Sequence, residues 1–209
     1  MCIRDSAYPR TLDEDVAKLK AAGVDAVFAP SPREMYPNGP RTTIHPGEAG
    51  RILEGAHRPT HFAGVLTVVN KLFTITHCDH AFFGEKDYQQ LLLIQQMVTD
   101  LNMEVQVHGV PIVREADGLA KSSRNVYLSG EERELALTLS AALTAGAFVA
   151  EQGPAAVLET AGSILDAASG VNVDYLELRG TDLSDCPQDG EARLLVAARV
   201  GLSLTHIGR

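Results

Sequence analysis

Cysteine, basic charge and long apolar runs are all scarce in this chain of 209 residues. Its three cysteines, Cys2, Cys78 and Cys186, are scattered, odd in number and form no Cys-x-x-Cys pair. That argues against a disulfide framework and suits a reducing cytoplasm. Lys+Arg number 18 against 27 Asp+Glu, giving a formal net charge of −9. Such a balance speaks against a nucleic-acid partner, because phosphate contacts along a duplex need a basic face. Charge, Gly or Pro interrupts every apolar stretch well short of a bilayer crossing, so no membrane partner is expected. Internal repeats and low-complexity tracts are absent. The opening Met1-Cys2-Ile3-Arg4-Asp5-Ser6 lacks the apolar run and cleavage motif of a signal or transit peptide. What is present is 45% apolar composition, enough to build a core for one or two small domains.

Strand and helix patterns alternate through the first half. Thr11-Leu12-Asp13-Glu14 reads as a capping box starting a helix that ends at Gly23. Asp25–Ala29 reads as a buried strand, and residues 30–46 form a Pro- and Gly-rich loop. A short helix is expected near Glu48–Leu53. Phe62, Val65, Leu66, Val69, Leu72 and Phe73 share one helical face. A strand over Ala81–Phe83, a helix over Tyr88–Leu101 and a strand over Val105–Val110 complete βαβ logic. This predicts a parallel sheet with nucleotide at the strands' C-terminal ends. Beyond Val113 the style changes: helices over Gly130–Gln152 and Pro154–Ala168, then strands over Asp174–Leu178 and Ala192–Val200. The expected fold class is α/β, a parallel sheet joined to a second, smaller α+β domain that closes over it.

Two segments carry chemistry. Gly84-Glu85-Lys86-Asp87-Tyr88-Gln89-Gln90 follows an apolar strand and opens a helix. There a glycine admits close backbone approach, first-turn N–H groups face an anion and a lysine adds charge. The alternative is a plain glycine turn in which Asp87 caps a helix and Lys86 is solvated. The second segment, Arg114 to Asn125, opens with the turn pair Asp117-Gly118 and sets Ser122 and Ser123 between Lys121 and Arg124. A mobile loop of that kind can give charge-assisted hydrogen bonds to phosphate oxygens; the alternative is an ordinary polar surface loop. His77-Cys78-Asp79-His80 resembles a zinc cluster in composition only. Four adjacent ligand-type residues cannot all turn to one ion, so it reads as a loop before the next strand.

A third segment, Leu53 to Val65 (with Arg58 and His61) running on to Lys71-Leu72-Phe73, completes a pattern with Tyr8-Pro9-Arg10-Thr11. Together these resemble the pantothenate synthetase (pantoate–β-alanine ligase) family from about Tyr8 to about Val200. The resemblance implies a Rossmann-like nucleotidyltransferase sheet and an ATP-dependent, AMP-forming ligation. Pantoate is joined to β-alanine through a pantoyl adenylate, with Mg²⁺, in the cytoplasm and usually as a homodimer. It implies that Gly84, Glu85, Lys86 and Asp87 contact ATP and that Val113 contacts adenine through its backbone. Lys121, Ser122, Ser123 and Arg124 would cover the triphosphate. Lys86, Ser122, Ser123 and Arg124 are the catalytic candidates, Gln90 the pantoate contact, and Arg58 and His61 residues of the substrate side. His61 read alone is a structural histidine. No metal ligand is assigned, although Asp87 and Glu14 stand near the right motifs. Thr60 departs from the glycine usual in the family.

A second departure is larger. The family begins with a strand leading to a His-x-Gly-His loop and a second strand ending in Asn-Pro-x-Gln-Phe, and neither motif occurs here. Residues 1–6 are therefore expected to be a non-native leader, 7–112 an incomplete Rossmann-like domain for ATP and pantoate, and 113–209 the α+β lid. The end, Leu202 to Arg209, also departs from the family. Loss of two strands is expected to bare apolar sheet edges and destabilise the chain. A carboxylate is already a competent nucleophile, so this chemistry needs positioning and cationic stabilisation rather than an activated serine or cysteine. Alternatives are a non-catalytic nucleotide-binding module and an adenylyltransferase acting on a different acid.

Overall fold

The computed structural model describes residues 11–201 together with the backbone of 203–208. The leader residues 1–6, Cys2 and the Tyr8-Pro9-Arg10 part of the first motif lie outside the described residues.

Helix α1 spans Leu12–Ala21 and has no buried residue. It ends as the sequence suggests: Gly23 takes φ +80°, and the N–H groups of Gly23 and Val24 return to the carbonyls of Lys20 and Leu19. The expected capping box at its start does not form. Thr11 sits at φ −113°, ψ 53°, outside the extended geometry that aims a hydroxyl at the N3 amide, and makes no side-chain cap. A capping box occurs instead on the single-turn helix α2 (Pro32–Met35), where Ser31 is extended and Glu34 closes the reciprocal bond.

The buried strand expected over Asp25–Ala29 is also not found. These residues carry no strand, and Val24, Val27 and Phe28 are exposed. A strand needs a neighbour to take its N–H and C=O groups, and no described strand pairs with 25–29.

The short helix expected near Glu48–Leu53 appears as a 3₁₀ turn over Glu48–Gly50 followed by helix α3 (Glu54–His57). The apolar face read from Phe62 to Phe73 lies on α4 (His61–Thr76), with Phe62, Leu66, Val69 and Phe73 buried. His77 ends α4 in the left-handed region, and β1 (His80–Gly84) follows. A 3₁₀ turn over Glu85–Asp87, helix α5 (Tyr88–Asp100) and β2 (Gln106–Val110) complete a βαβ unit. Strands β1 and β2 pair in parallel, His80 opposite Gln106 and Gly84 opposite Val110. Their core joins α4 and α5 through Phe62, Leu66, Phe73, Leu93, Ile94 and Met97. The other face bares Phe82, which is 67% exposed and stacks on His108.

The second half is built on α6 (Gly130–Phe148), α7 (Pro154–Asp166), β3 (Val171–Gly180), β4 (Ala192–Val200) and β5 (Ser203–Gly208). The three strands form an antiparallel sheet in chain order, and β5 was not expected from the sequence. The helices cover it through Leu139, Leu143, Val157, Leu165, Leu194 and Val196. Gly146 lets α6 approach closely: a Cβ there would stand 2.8 Å from Leu194 Cδ2 and 3.1 Å from the Val157 carbonyl. Between the two cores a small cluster of Leu53, Leu183 and Leu195, flanked by Tyr88 and Tyr175, joins the parallel unit to the antiparallel one. Directly over this junction lies the site.

Candidate active site

Three segments distant in sequence line one cleft of about 390 Å³. From the end of β1 come Lys86, Asp87, Tyr88, Gln89 and Gln90; from the loop before α6 come Lys121, Ser122, Ser123 and Arg124; from the α3–α4 region come Leu53, Glu54, Arg58, His61 and Phe62. Tyr175 of β3 and Leu195 and Val196 of β4 close the wall. Four cations, Arg58, Lys86, Lys121 and Arg124, face two carboxylates, Glu54 and Asp87. A chain of formal charge −9 has thus gathered a locally positive cleft, which suits a polyanion.

Lys86 is placed by the 3₁₀ turn that separates β1 from α5. Its Nζ lies 3.7 Å from Asp87 Oδ1, and its side chain is only 15% exposed. Asp87 makes no cap bond to α5, so its carboxylate does not occupy the first-turn amides. Gly84 takes the ordinary φ −70°, ψ 133°, and a Cβ built on it would meet nothing within 4 Å. Neither conformation nor packing against the protein demands glycine there.

The Lys121–Arg124 segment is anchored rather than loose. Asp117 accepts from the Leu119 N–H at 3.1 Å and pairs with Arg133 of α6 at 2.6 Å. Those contacts, the Leu119 amide above all, hold its carboxyl below the ordinary carboxylate value. Arg114 donates to the Gly118 carbonyl and to Ser140 Oγ. Lys121 donates its N–H to the Val113 carbonyl at 2.8 Å, and Asn125 holds the Ala120 carbonyl. Ser122 caps the 3₁₀ turn Ser123–Tyr127 by accepting from the Arg124 N–H at 3.3 Å.

On the opposite wall Arg58 donates to Glu54 Oε1 at 2.9 Å, with side chains 13% and 9% exposed. Arg58 Nη1 also stands 3.4 Å from His61 Nε2. Leu53, immediately before, is buried at φ 51°, a strained backbone for leucine. Buried Gln89 brackets it, donating to the Ala49 and Ile52 carbonyls at 2.8 Å each. Gln90, next in sequence, lines the same cleft and makes none of these backbone bonds. Tyr175 is kept neutral well above the ordinary phenol range, by burial first and then by the nearby charges of Glu54 and Asp87.

Of the residues expected at the site, Lys86, Asp87, Gln90, Lys121, Ser122, Ser123, Arg124, Arg58 and His61 all line the cleft. Gly84, Glu85 and Val113 do not; Glu85 turns away to Arg193 of β4, at 3.3 Å. Glu14 is exposed on α1 and does not line the cleft either. The sequence reading left out Glu54, Gln89 and Tyr175. Glu54 is legible as the i, i+4 partner of Arg58. Tyr175 carries no signal, because only the packing of β3 beneath the cleft brings it there.

The family model described as pantoate-beta-alanine ligase matches residues 5–206. The pantothenate synthetase of Corynebacterium jeikeium strain K411 is 96% identical over 195 residues, covering 93% of this chain and 64% of that protein. That of Mycobacterium avium strain 104 is 63% identical, covering 93% and 63%. Among solved structures, the pantothenate synthetase of Thermus thermophilus superposes with a TM-score of 0.92 at 44% identity, covering 97% of this chain and 75% of that one. The pantoate-beta-alanine ligase of Francisella tularensis, complexed with beta-gamma ATP and beta-alanine, superposes with a TM-score of 0.80 at 31% identity, covering 99% and 72%. Fold and site define a nucleotidyltransferase-like α/β protein with a locally positive cleft. The chain belongs to the pantoate–β-alanine ligase family, and it spans just under two thirds of the length of the curated relatives it matches.

Proposed function

We propose that the chain carries the ATP- and pantoate-binding cleft of an AMP-forming ligase that joins pantoate to β-alanine. The observation that supports this most is the convergence of Lys86, Lys121–Arg124 and the Arg58–His61–Gln90 wall in one cleft. In this reading residues 7–112 bind ATP and pantoate and residues 113–209 close over them, in a cytoplasmic, dimeric protein.

In the first step the pantoate carboxylate attacks the α-phosphorus of ATP. The bond to the bridging oxygen breaks, pyrophosphate leaves and pantoyl adenylate forms. Lys86, Lys121 and Arg124, with the hydroxyls of Ser122 and Ser123, meet the negative charge that grows on the phosphate oxygens. Gln90 holds pantoate, while Arg58 and His61 orient the substrate side in line with the phosphorus. In the second step the β-alanine amine attacks the acyl carbon, the acyl–oxygen bond breaks and AMP departs. Tyr175, neutral in this setting, does not add an anion to the cleft.

Mg²⁺ belongs to this reading as a neutraliser of phosphate charge. Among the described residues no group of three or more His, Cys, Asp or Glu gathers to hold a metal. That suits an ion carried mainly by phosphate oxygens and water. Glu54 is buried against Arg58 at 2.9 Å, whereas Asp87 is about half exposed and only 3.7 Å from Lys86 Nζ, so Asp87 is the cleft carboxylate that would hold it.

The test is AMP and pyrophosphate formation from ATP, pantoate and β-alanine by the purified chain, with Lys86→Ala alongside. Turnover lost in the variant supports ligation by this cleft. ATP binding without AMP favours a second reading, a nucleotide-binding module that does not ligate. Activity with an acid other than pantoate would redirect the assignment to another adenylyltransferase.

A further inference from the structure

We infer that Arg193, which does not line the cleft, is a positioning residue for Lys86: from β4 it grips the turn on both sides of the Lys86-Asp87 pair. The inference rests on the reading of the cleft given above.

Three contacts carry it. Arg193 Nη1 reaches Glu85 Oε2 at 3.3 Å, one residue before Lys86. Its guanidinium carbon stands 4.1 Å from the ring centroid of Tyr88, one residue after Asp87. The Tyr88 hydroxyl then donates to the Thr181 carbonyl at 2.6 Å, a second tie to the antiparallel unit. A planar guanidinium can stack on a ring while donating at its edge, which an ammonium cannot do as well.

The parallel unit is shaped to receive this grip. The Glu85 side chain lies over Gly109 of β2, where an added Cβ would be 3.2 Å from Glu85 Oε1 and 3.0 Å from Leu91 Cδ2. Glu85 is thereby seated between Gly109 and Arg193, facing away from the cleft, and Lys86 and Asp87 face into it. Both side chains of the Arg193–Glu85 pair are about one quarter exposed, at 26% and 27%, so the pair is partly shielded from solvent. Leu195, two residues along β4, packs in the small cluster under the cleft floor. One strand of the antiparallel unit therefore supplies both floor and grip. The distance between Lys86 and the Lys121–Arg124 segment depends on how that unit meets the 3₁₀ turn.

The test is a double-mutant cycle on Mg-ATP binding, read by calorimetry, with Arg193→Ala, Lys86→Ala and their combination, and thermal melting of each. Arg193→Ala is expected to weaken binding about tenfold in the parent chain, but less than about twofold once Lys86 is alanine, because it acts through that lysine. Glu85→Gln, which breaks the same bridge from the other side, should reproduce most of the loss. Arg193→Lys, keeping charge without the stack, should fall between. Unchanged binding in Arg193→Ala overturns the inference. So does a loss of equal size in both backgrounds that follows a drop in melting temperature, which marks a structural staple only. A parent chain with no affinity for Mg-ATP sinks the reading of the cleft itself, and is seen before any variant is compared.

Discussion

Gln89 and Glu54 lie 35 residues apart in the chain and are joined by one buried hydrogen bond, from the Glu54 N–H to Gln89 Oε1 at 3.1 Å. With its two bonds to the Ala49 and Ile52 carbonyls, Gln89 satisfies three backbone groups around the strained Leu53. Gln89→Leu removes all three bonds, leaving the Ile52 carbonyl only the Gly55 N–H at 2.9 Å, and is expected to cost about 2–4 kcal/mol of stability. Gln90→Leu, one residue on, is expected to cost less than about 1 kcal/mol. Denaturant midpoints of the two variants check this, and equal losses would refute the division of labour.

Glu54 and Arg58 form an ion pair largely removed from water. Truncating Arg58 alone takes from a buried carboxylate its 2.9 Å cationic partner, so Arg58→Ala is expected to destabilise by about 3 kcal/mol. Replacing both, Glu54→Gln with Arg58→Met, removes the buried charge together with its partner and should recover a large part of that loss. A full cycle of unfolding free energies measures the coupling. Additive single losses would show that the pair is not what holds this wall.

Acid stability should depend on Asp117. Its carboxyl is held below the ordinary value of 3.8, by the Leu119 amide first and Arg133 afterwards. The folded state thus prefers the charged form. The stabilisation is present above the ordinary carboxylate value and is lost as pH falls through the lower, folded one. Asp117→Asn should flatten the acid limb of a melting-temperature profile below about pH 4. An unchanged limb would show that the turn before Lys121 is held by other contacts.

Alkaline stability should depend on Tyr175. Burial and neighbouring carboxylates raise its phenol above the ordinary value of 10.0. Stability from keeping it neutral is full below that value and is lost as pH rises towards the folded one, because the unfolded chain ionises first. Tyr175→Phe should lose less stability between about pH 10 and 11 than the parent chain. Ultraviolet titration of tyrosinate in the two proteins gives an independent reading.

Much of the architecture was legible locally. The apolar face of α4, the strand–glycine–lysine–helix order around Lys86 and the whole of β4 follow from side-chain periodicity, which depends on near neighbours. Two local readings failed for one kind of reason. Thr11-x-x-Glu14 and Asp25–Ala29 have suitable residue types, but a cap needs the right backbone angles and a strand needs a partner. Ser31-x-x-Glu34 met the first requirement, and the described part of the chain does not meet the second.

By itself the sequence determined the chemical inventory: lysines, arginines and paired serines on segments poised for phosphate, in a chain otherwise acidic. Spacing along the chain also set which of these lie together on a turn, because i to i+4 geometry is local. Only the tertiary structure decided that Arg58, Lys86 and Arg124 share one cleft. It also decided that Gln89 bonds the backbone around Leu53, that Tyr175 reaches the cleft and that Arg193 reaches the turn beside it. These outcomes depend on how the antiparallel sheet packs against the parallel one, through contacts across a hundred residues or so such as Arg193 to Glu85. No local pattern encodes contacts of that range, since they form only when two separate cores bury their shared edge.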